Sequence, residues 1–306
     1  YWPEILDDTV RRLVMSDVVV ARLHDDQPVA MWAGSGSPSR GIGLRSGSAH
    51  EVKIIDADGT LVGTVDESRA PSLVHEGAVY LHRGQTYKVD HFDPDELLAV
   101  VNPVADDEYT QPRTSTDISV IAIDDKQAVG PLELMLGQVE VTTQVTGYQR
   151  RERRSRKILS HEQLELEPQR LITRAFWYTI EHRLCEDIGV VTSQLPGALH
   201  AAEHAMIGML PLFTICDRWD VGGVSTAMHQ DTLHPSIFIY DGYPGGTGIA
   251  ELGYQVAGRH LRATLDLLHA CGCKDGCPSC VVSPKCGNGN EPLDKAGAIA
   301  LLPLAP

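Results

Sequence analysis

Five of the chain's seven cysteines, Cys271, Cys273, Cys277, Cys280 and Cys286, fall within sixteen residues. They sit in the run Cys-Gly-Cys-Lys-Asp-Gly-Cys-Pro-Ser-Cys, followed six positions later by Cys-Gly-Asn-Gly-Asn. Backbone this rich in glycine and proline makes short loops that cannot bury much core by themselves, so a fold that uses it needs a staple. The spacing Cys273-x3-Cys277-x2-Cys280-x5-Cys286 offers four soft thiolates to a tetrahedral Zn2+. A site closed by four protein ligands has no open position for chemistry, so the expected zinc is structural. Cys271 is an alternative to Cys273 as first ligand, and an iron–sulfur cluster is the rival occupant. Two close pairs with a Cys-Pro-Ser-Cys knuckle favour zinc. The isolated Cys185 and Cys216 read as small buried hydrophobes.

At 306 residues, 42% apolar and 22% charged, the chain has ordinary globular composition and room for two or three domains. No stretch approaches the roughly 20 apolar residues of a bilayer span, and the opening Tyr-Trp-Pro-Glu lacks the pattern of a secretory signal. The expected location is the cytoplasm, with no membrane partner, where clustered cysteines stay reduced. A net charge of −15 repels a polyanion overall, so any DNA contact must be local. Neither a Gly-x-x-x-x-Gly-Lys-Ser/Thr loop nor an Asp-Glu-x-His box occurs, and the chain alone is not expected to hydrolyse ATP. The missing initiator methionine and the helical start read as a piece of a longer polypeptide.

The expected fold is α+β and multidomain, in three sections. Residues 1–50 open with Pro3 at a first helical position and Ile5, Leu6, Val10, Leu13 and Val14 on one stripe. Strands at 18–23 and 29–32 around a turn at 25–28 complete a partial winged helix. Residues 51–148 carry short strands at 52–55, 61–65, 78–82, 85–89, 97–101, 118–123 and 132–141, which predict a small β-barrel-like domain. Tyr80, Tyr87 and Tyr109 there are placed either to stack on bases or to pack across strands. Residues 149–170 read as a basic linker, and 171–306 as an α/β domain bearing the four-cysteine module.

The linker supplies the strongest local positive charge: Arg150, Arg151, Arg153, Arg154, Arg156 and Lys157 lie within eight residues. They are candidates for phosphate contact, with a solvated linker as the alternative. Ser236–Asp241 predicts a buried strand, and one helix is expected from about 249 to 270. Between them, Gly245, Gly246 and Thr247, followed by Gly248, form a second phosphate candidate through backbone amides at a helix start. Tight strand-to-helix packing is the other explanation for those glycines. On a helix predicted at 199–210, His200-x-x-Glu203-His204 matches the inverted zinc-peptidase pattern, with two imidazoles one turn apart and a glutamate as base. Core histidines satisfied by hydrogen bonds are its alternative. A zinc hydrolase and a non-enzymatic protein adaptor are therefore the competing functions.

Several longer motifs form a resemblance: Ala78-Val-Tyr-Leu-His-Arg-Gly-Gln-Thr-Tyr87, Tyr109-Thr-Gln-Pro-Arg113, Val145-Thr-Gly-Tyr148, His200-x-x-Glu-His-Ala205, Cys216-Asp-Arg-Trp-Asp-Val-Gly-Gly223, Tyr240-Asp-Gly-Tyr-Pro-Gly-Gly-Thr-Gly-Ile-Ala-Glu251 and Gly276-Cys-Pro-Ser-Cys280 through Cys286-Gly-Asn-Gly-Asn290. After about residue 50 the chain resembles the C-terminal half of MrfA/SftH-type (YprA-like) superfamily 2 DNA helicases. The resemblance implies a 3′-to-5′ DNA repair translocase whose RecA-like motor domains, with their ATP and Mg2+, lie upstream of this chain. It also implies a zinc-binding C-terminal domain, DNA as partner, and no peptidase role for the His-x-x-Glu-His stretch.

Overall fold

The computed structural model describes residues 3–25, 27–34, 50–105 and 107–302, in two units, residues 1–50 and 51–306. In the first unit, helix α1 (Pro3–Met15) precedes a hairpin of β1 (Val19–His24) and β2 (Gln27–Trp32). Val10, Leu13 and Val14 are its half-buried stripe, while Asp7, Asp8 and Arg12 face water. Asp26 and residues 35–49 of the expected winged helix lie outside the described residues.

The second unit begins with β3 (Glu51–Asp56), β4 (Leu61–Asp66), a one-turn helix α2 (Ala70–Leu73), β5 (Val79–His82), β6 (Gln85–Asp93) and β7 (Leu98–Pro103). These strands form a five-stranded sheet in the order β4-β3-β7-β6-β5, antiparallel except where β3 meets β7. Alternation in β3 sends Val52 and Ile54 into a small core with Ala70, Val74, Val89, Phe92 and Val101. Tyr80 and Tyr87 face each other across β5 and β6 and pack partly buried against that core.

The strands expected at 118–123 and 132–141 do not join this sheet. They are stretches of a long hairpin, β8 (Glu108–Val129, 22 residues) and β9 (Leu132–Glu152, 21 residues), turned at Gly130. The threonine-rich middle of β9 carries no strong apolar alternation, yet it stays extended because strands pair along both of its edges. β10 (Ile158–Gln163) and β11 (Gln169–Thr179) share the edge opposite β8, so residues 149–170 are the end of β9, a turn, β10 and the approach to β11 rather than a linker.

β12 (Val221–Thr226) and β13 (Ser236–Asp241) complete this second sheet, ordered β10-β9-β11-β13-β12 with β8 on β9. The sheet curls into a half-barrel. His229 and Asp231, between β12 and β13, reach β8 through His229 Nε2 to the Ile118 carbonyl (3.0 Å) and the Val120 amide to Asp231 Oδ2 (2.8 Å). Inside the curl, Trp177 stacks on Phe238 at 5.3 Å beside Ile118, Met135, Val139 and Val141.

Helices cover the other face: α3 (His182–Asp187), α4 (Leu195–Met209), α5 (Ile249–Gln255), α6 (Ala257–Ala270) and α7 (Lys295–Leu301). The helix expected from about 249 to 270 is broken at Val256, which leaves Leu252 exposed while Ile249, Leu261 and Leu268 are buried. α4 is the central helix, with Ala198, Ala201, Ala202 and Ala205 fully buried. Small residues let α7 cross it closely, since a Cβ on Gly297 would come within 2.6 Å of that of Ala198. Among the described residues no helix is long and apolar enough to cross a membrane.

Candidate metal centre and nucleic-acid interface

α6 ends at Cys271, whose backbone turns extended, so Cys271 and Cys273 two positions on face the same side. The Gly276 to Cys280 turn brings the other pair opposite, with φ of +113° at Gly276, where a side chain would strike Val281. The sulfurs of Cys271 lie 3.5 Å from those of Cys273 and Cys277, and Cys280 lies 3.4 Å from Cys273 and 3.7 Å from Cys277. Four sulfurs around Zn2+ at about 2.3 Å stand roughly 3.8 Å apart, so the cage fits the ion with little adjustment. Bound there, zinc supplies cross-linking and no reactive position.

Lys295 of α7 supports the cage from outside. Its Nζ donates to the carbonyls of Cys271 (2.7 Å) and Cys273 (2.8 Å) and reaches Cys273 Sγ at 3.4 Å. Burial works against its charge, but Cys273 and the neighbouring sulfurs outweigh it and keep the ammonium protonated. Burial also opposes ionisation of Cys273, yet hydrogen bonds from the other three sulfurs and Lys295 bring its thiol down to about 6. Cys280 moves up, through burial and then through donation to Cys273 and Cys277. A cationic neighbour is what a zinc–tetrathiolate, formally dianionic, calls for.

Of the four ligands expected from spacing, Cys273, Cys277 and Cys280 are therefore together, with Cys271 as their fourth. Cys286 is elsewhere. The intervening Val281 is fully buried, and the following loop is tied by Asn290, which accepts from the Ser283 amide (2.7 Å) and donates to its carbonyl (3.0 Å). That loop delivers Cys286 to α4, where its sulfur lies 3.5 Å from His200 Nε2 and takes the Asn290 amide at 3.2 Å. Burial pushes the Cys286 thiol up, but hydrogen bonds from His204 and the Asn290 amide hold it below its ordinary value.

His200, Glu203, His204 and Cys286 line one cleft of about 290 Å³. Glu203 accepts from the Ser225 hydroxyl at 2.6 Å, and burial, only partly offset by Ser225 and His200, raises its carboxyl to about 7. The Gly222-Gly223 pair in β12 is there for space. A Cβ on Gly223 would lie 2.6 Å from Glu203 Oε1, and one on Gly222 would strike the Tyr240 ring. Lys285, at the cleft wall, donates to the carbonyls of Arg218 (2.8 Å) and Val221 (2.7 Å), and burial lowers it to about 8.

The two phosphate candidates differ in what already holds their donors. At the glycine loop, Gly245, Gly246 and Gly248 all take positive φ, which aims the loop back at the buried Asp241. The Thr247 amide donates to Asp241 Oδ2 at 2.7 Å, and the amides of Gly248 and Ala250 also favour its charged form. Burial is the larger influence and raises the Asp241 carboxyl above its ordinary value. Arg174 closes the far side, pairing with Glu251 at 2.8 Å and with Asp124. The loop's anion is thus the chain's own.

The basic run forms the tip of the β9–β10 hairpin. Arg150 is committed to Glu108 at 2.7 Å, and Arg151 donates to Gln149 at 2.6 and 2.9 Å. Arg154 stands 3.6 Å from Asp107 but is 88% exposed, and Arg153, Arg156 and Lys157 are exposed at the turn. Tyr109 pairs with Arg151 across the ladder and is half-buried. Neither pattern nor spacing assigns a role to the Asp217 to Asp220 stretch. Asp220 receives the Asp217 amide (2.8 Å) and the Tyr243 hydroxyl (2.7 Å), so it fastens the segment before β12 to the glycine loop.

A zinc-bearing module on an α+β core defines the class. The MrfA Zn-binding domain family matches residues 202–281, from α4 through Cys280. The uncharacterised ATP-dependent helicase YprA of Bacillus subtilis is 33% identical over 267 residues, covering 85% of this chain and 35% of YprA. The ATP-dependent helicase HRQ1 of Saccharomyces cerevisiae is 24% identical over 307 residues, covering 93% of this chain and 28% of HRQ1. An uncharacterised protein of Methanocaldococcus jannaschii, MJ1572.1, is 45% identical over 107 residues and is covered over 96% of its length. Among solved structures, the DUF1998 helicase MrfA bound to DNA superposes with a TM-score of 0.62 at 28% identity, covering 97% of this chain and 39% of that one. The chain corresponds to the C-terminal region of the MrfA-type helicases. It spans about a third of the length of the helicase relatives, and structural zinc is its cofactor.

Proposed function

We propose that this chain is the non-motor, DNA-gripping region of an ATP-dependent 3′-to-5′ DNA repair helicase of the cytoplasm or nucleoid. Its motor partners are RecA-like domains of the same polypeptide, which bind ATP and Mg2+. The observation that carries the reading is the likeness, over 97% of the chain, to a helicase crystallised on DNA. The exposed arginines at the β9–β10 tip support it, because a strongly acidic chain can meet a polyanion only through such a local patch. Arg153, Arg154, Arg156 and Lys157 contact phosphates, and Arg150 and Arg151 mainly brace the tip. The helix and hairpin of residues 3–32 act as a wing beside the strand. The zinc cage keeps the helical face rigid while DNA is held.

Fluorescence anisotropy with a labelled tailed duplex tests this reading. The expected result is retention that is similar across sequences and falls steeply between 50 and 200 mM salt, as phosphate contacts require. No salt-sensitive retention of single-stranded or tailed DNA favours the protein-adaptor function instead.

A further inference from the structure

We infer that His200, His204 and Cys286 form a second zinc site, distinct from the four-cysteine cage, with its fourth position facing the cleft. Their donor atoms all lie within 4.8 Å of one another. Three features argue for an ion rather than a chance contact. First, each imidazole is turned the way a metal ligand is turned: Nδ1 of His200 donates to the Pro292 carbonyl at 2.8 Å and Nδ1 of His204 to the Val281 carbonyl at 2.7 Å. A carbonyl can only accept, so each Nδ1 carries a proton, and in the neutral ring each Nε2 then keeps its lone pair, the tautomer and outer hydrogen bond seen at metal-bound histidines.

Second, neutral rings leave the donors short: two Nε2 lone pairs then meet one thiol, and a single S–H proton cannot serve both, whereas a cation serves all three groups at once. Third, the three ligands come from rigid parts. His200 and His204 are one turn apart on α4, with ring centroids 4.3 Å apart, and Cys286 is fixed by the Asn290-tied loop. Two imidazoles and a thiolate suit Zn2+, and three protein ligands leave a tetrahedral ion one place for an exchangeable water. The site would also pin the 283–290 loop to α4, just as the cage pins the segment after α6.

Zinc content and zinc K-edge absorption spectroscopy of the 306-residue chain, purified reduced with Zn2+ present, test the inference. Two zinc ions per chain are expected, with an averaged shell containing imidazole nitrogen as well as sulfur. Cys286→Ser should retain one zinc with an all-sulfur shell. One zinc per chain in the wild type with sulfur ligands only overturns the site, and so do two zinc ions without imidazole scattering. One zinc with a mixed nitrogen and sulfur shell would uphold this site while refuting the cage. Because the wild-type spectrum decides, poor folding of Cys286→Ser does not weaken the test.

Discussion

The glycine loop before α5 and the tip of the β9–β10 hairpin both offer a phosphate what it needs, amides and a helix start in one, guanidinium groups in the other. They differ in whether the chain has already used the offer. Asp241 lies buried behind the glycine loop and takes the Thr247 amide, and Arg174 is shared between Glu251 and Asp124. At the hairpin tip only Arg150 and Arg151 are tightly held, and the remaining cations project into solvent. Donors make a binding site only when no internal acceptor has a prior hold on them. The glycine loop is therefore a structural joint, and the tip is the surface whose cations stay open for the proposed DNA contact.

The largest expected effect separates the regions by what they rest on. Replacing Cys277 and Cys280 with serine removes the cage zinc and should lower stability by at least about 3 kcal/mol, since metal binding here is folding energy. Cys280 and Val281 share a core with Ile249 and Ala250, so hydrogen exchange at residues 247–250 should accelerate strongly. Amides of β9 and β10 near the tip are held by their own ladder and should be affected much less. Equal loss of protection in both regions would break the distinction.

Asp241→Ala tests the internal anion. Stranding the Thr247 amide should cost about 1–3 kcal/mol in a denaturant melt, with little change in DNA affinity of the folded protein. The pH dependence has a definite sign. Burial raises the folded carboxyl above its ordinary 3.8, so above that pH the unfolded chain has already lost a proton that the native state keeps. The stability this protonated carboxyl contributes is present at low pH and lost as pH rises through the raised value. The variant should flatten that decline, and its cost should shrink toward alkaline pH.

The smallest effect compares held and free cations within the tip itself. Arg150→Gln should change DNA affinity no more than about twofold, because its guanidinium already faces Glu108. Arg156→Gln removes one exposed charge and should weaken binding by about 1 kcal/mol or less, roughly two- to fivefold. A reversed order in anisotropy titrations would mean that the Arg150–Glu108 pair opens on DNA.

Much of this contrast was legible in the residues. The strands around Asp58-Gly59 and Arg83-Gly84, the buried strand at 236–241 and the helix carrying His200 and His204 all follow from alternation and turn chemistry. Sheet membership was not legible. β8 and β9 are long because each is paired along its length, and pairing is a property of neighbours rather than of the Thr142–Thr146 sequence. The helix break at Val256 likewise answers to packing, not to a proline or a capping residue. Spacing named Cys273, Cys277, Cys280 and Cys286 for the cage, with Cys271 only in place of Cys273, whereas the fold keeps Cys273 and takes Cys271 instead of Cys286. Both lie within reach along the chain, and only the buried turn at Val281 sends Cys286 to the histidines. Nor could composition reveal that Asp241, six residues before Thr247, fills the loop from behind.

Whether phosphate contact is carried by the hairpin tip rather than by the glycine loop is decided by the salt dependence of DNA affinity in Arg153→Glu/Arg156→Glu/Lys157→Glu. At least a tenfold loss of affinity near 100 mM salt is expected, with the slope of log K against log salt flattened by roughly two to three units, about one for each phosphate contact removed. Affinity and slope indistinguishable from wild type would contradict it.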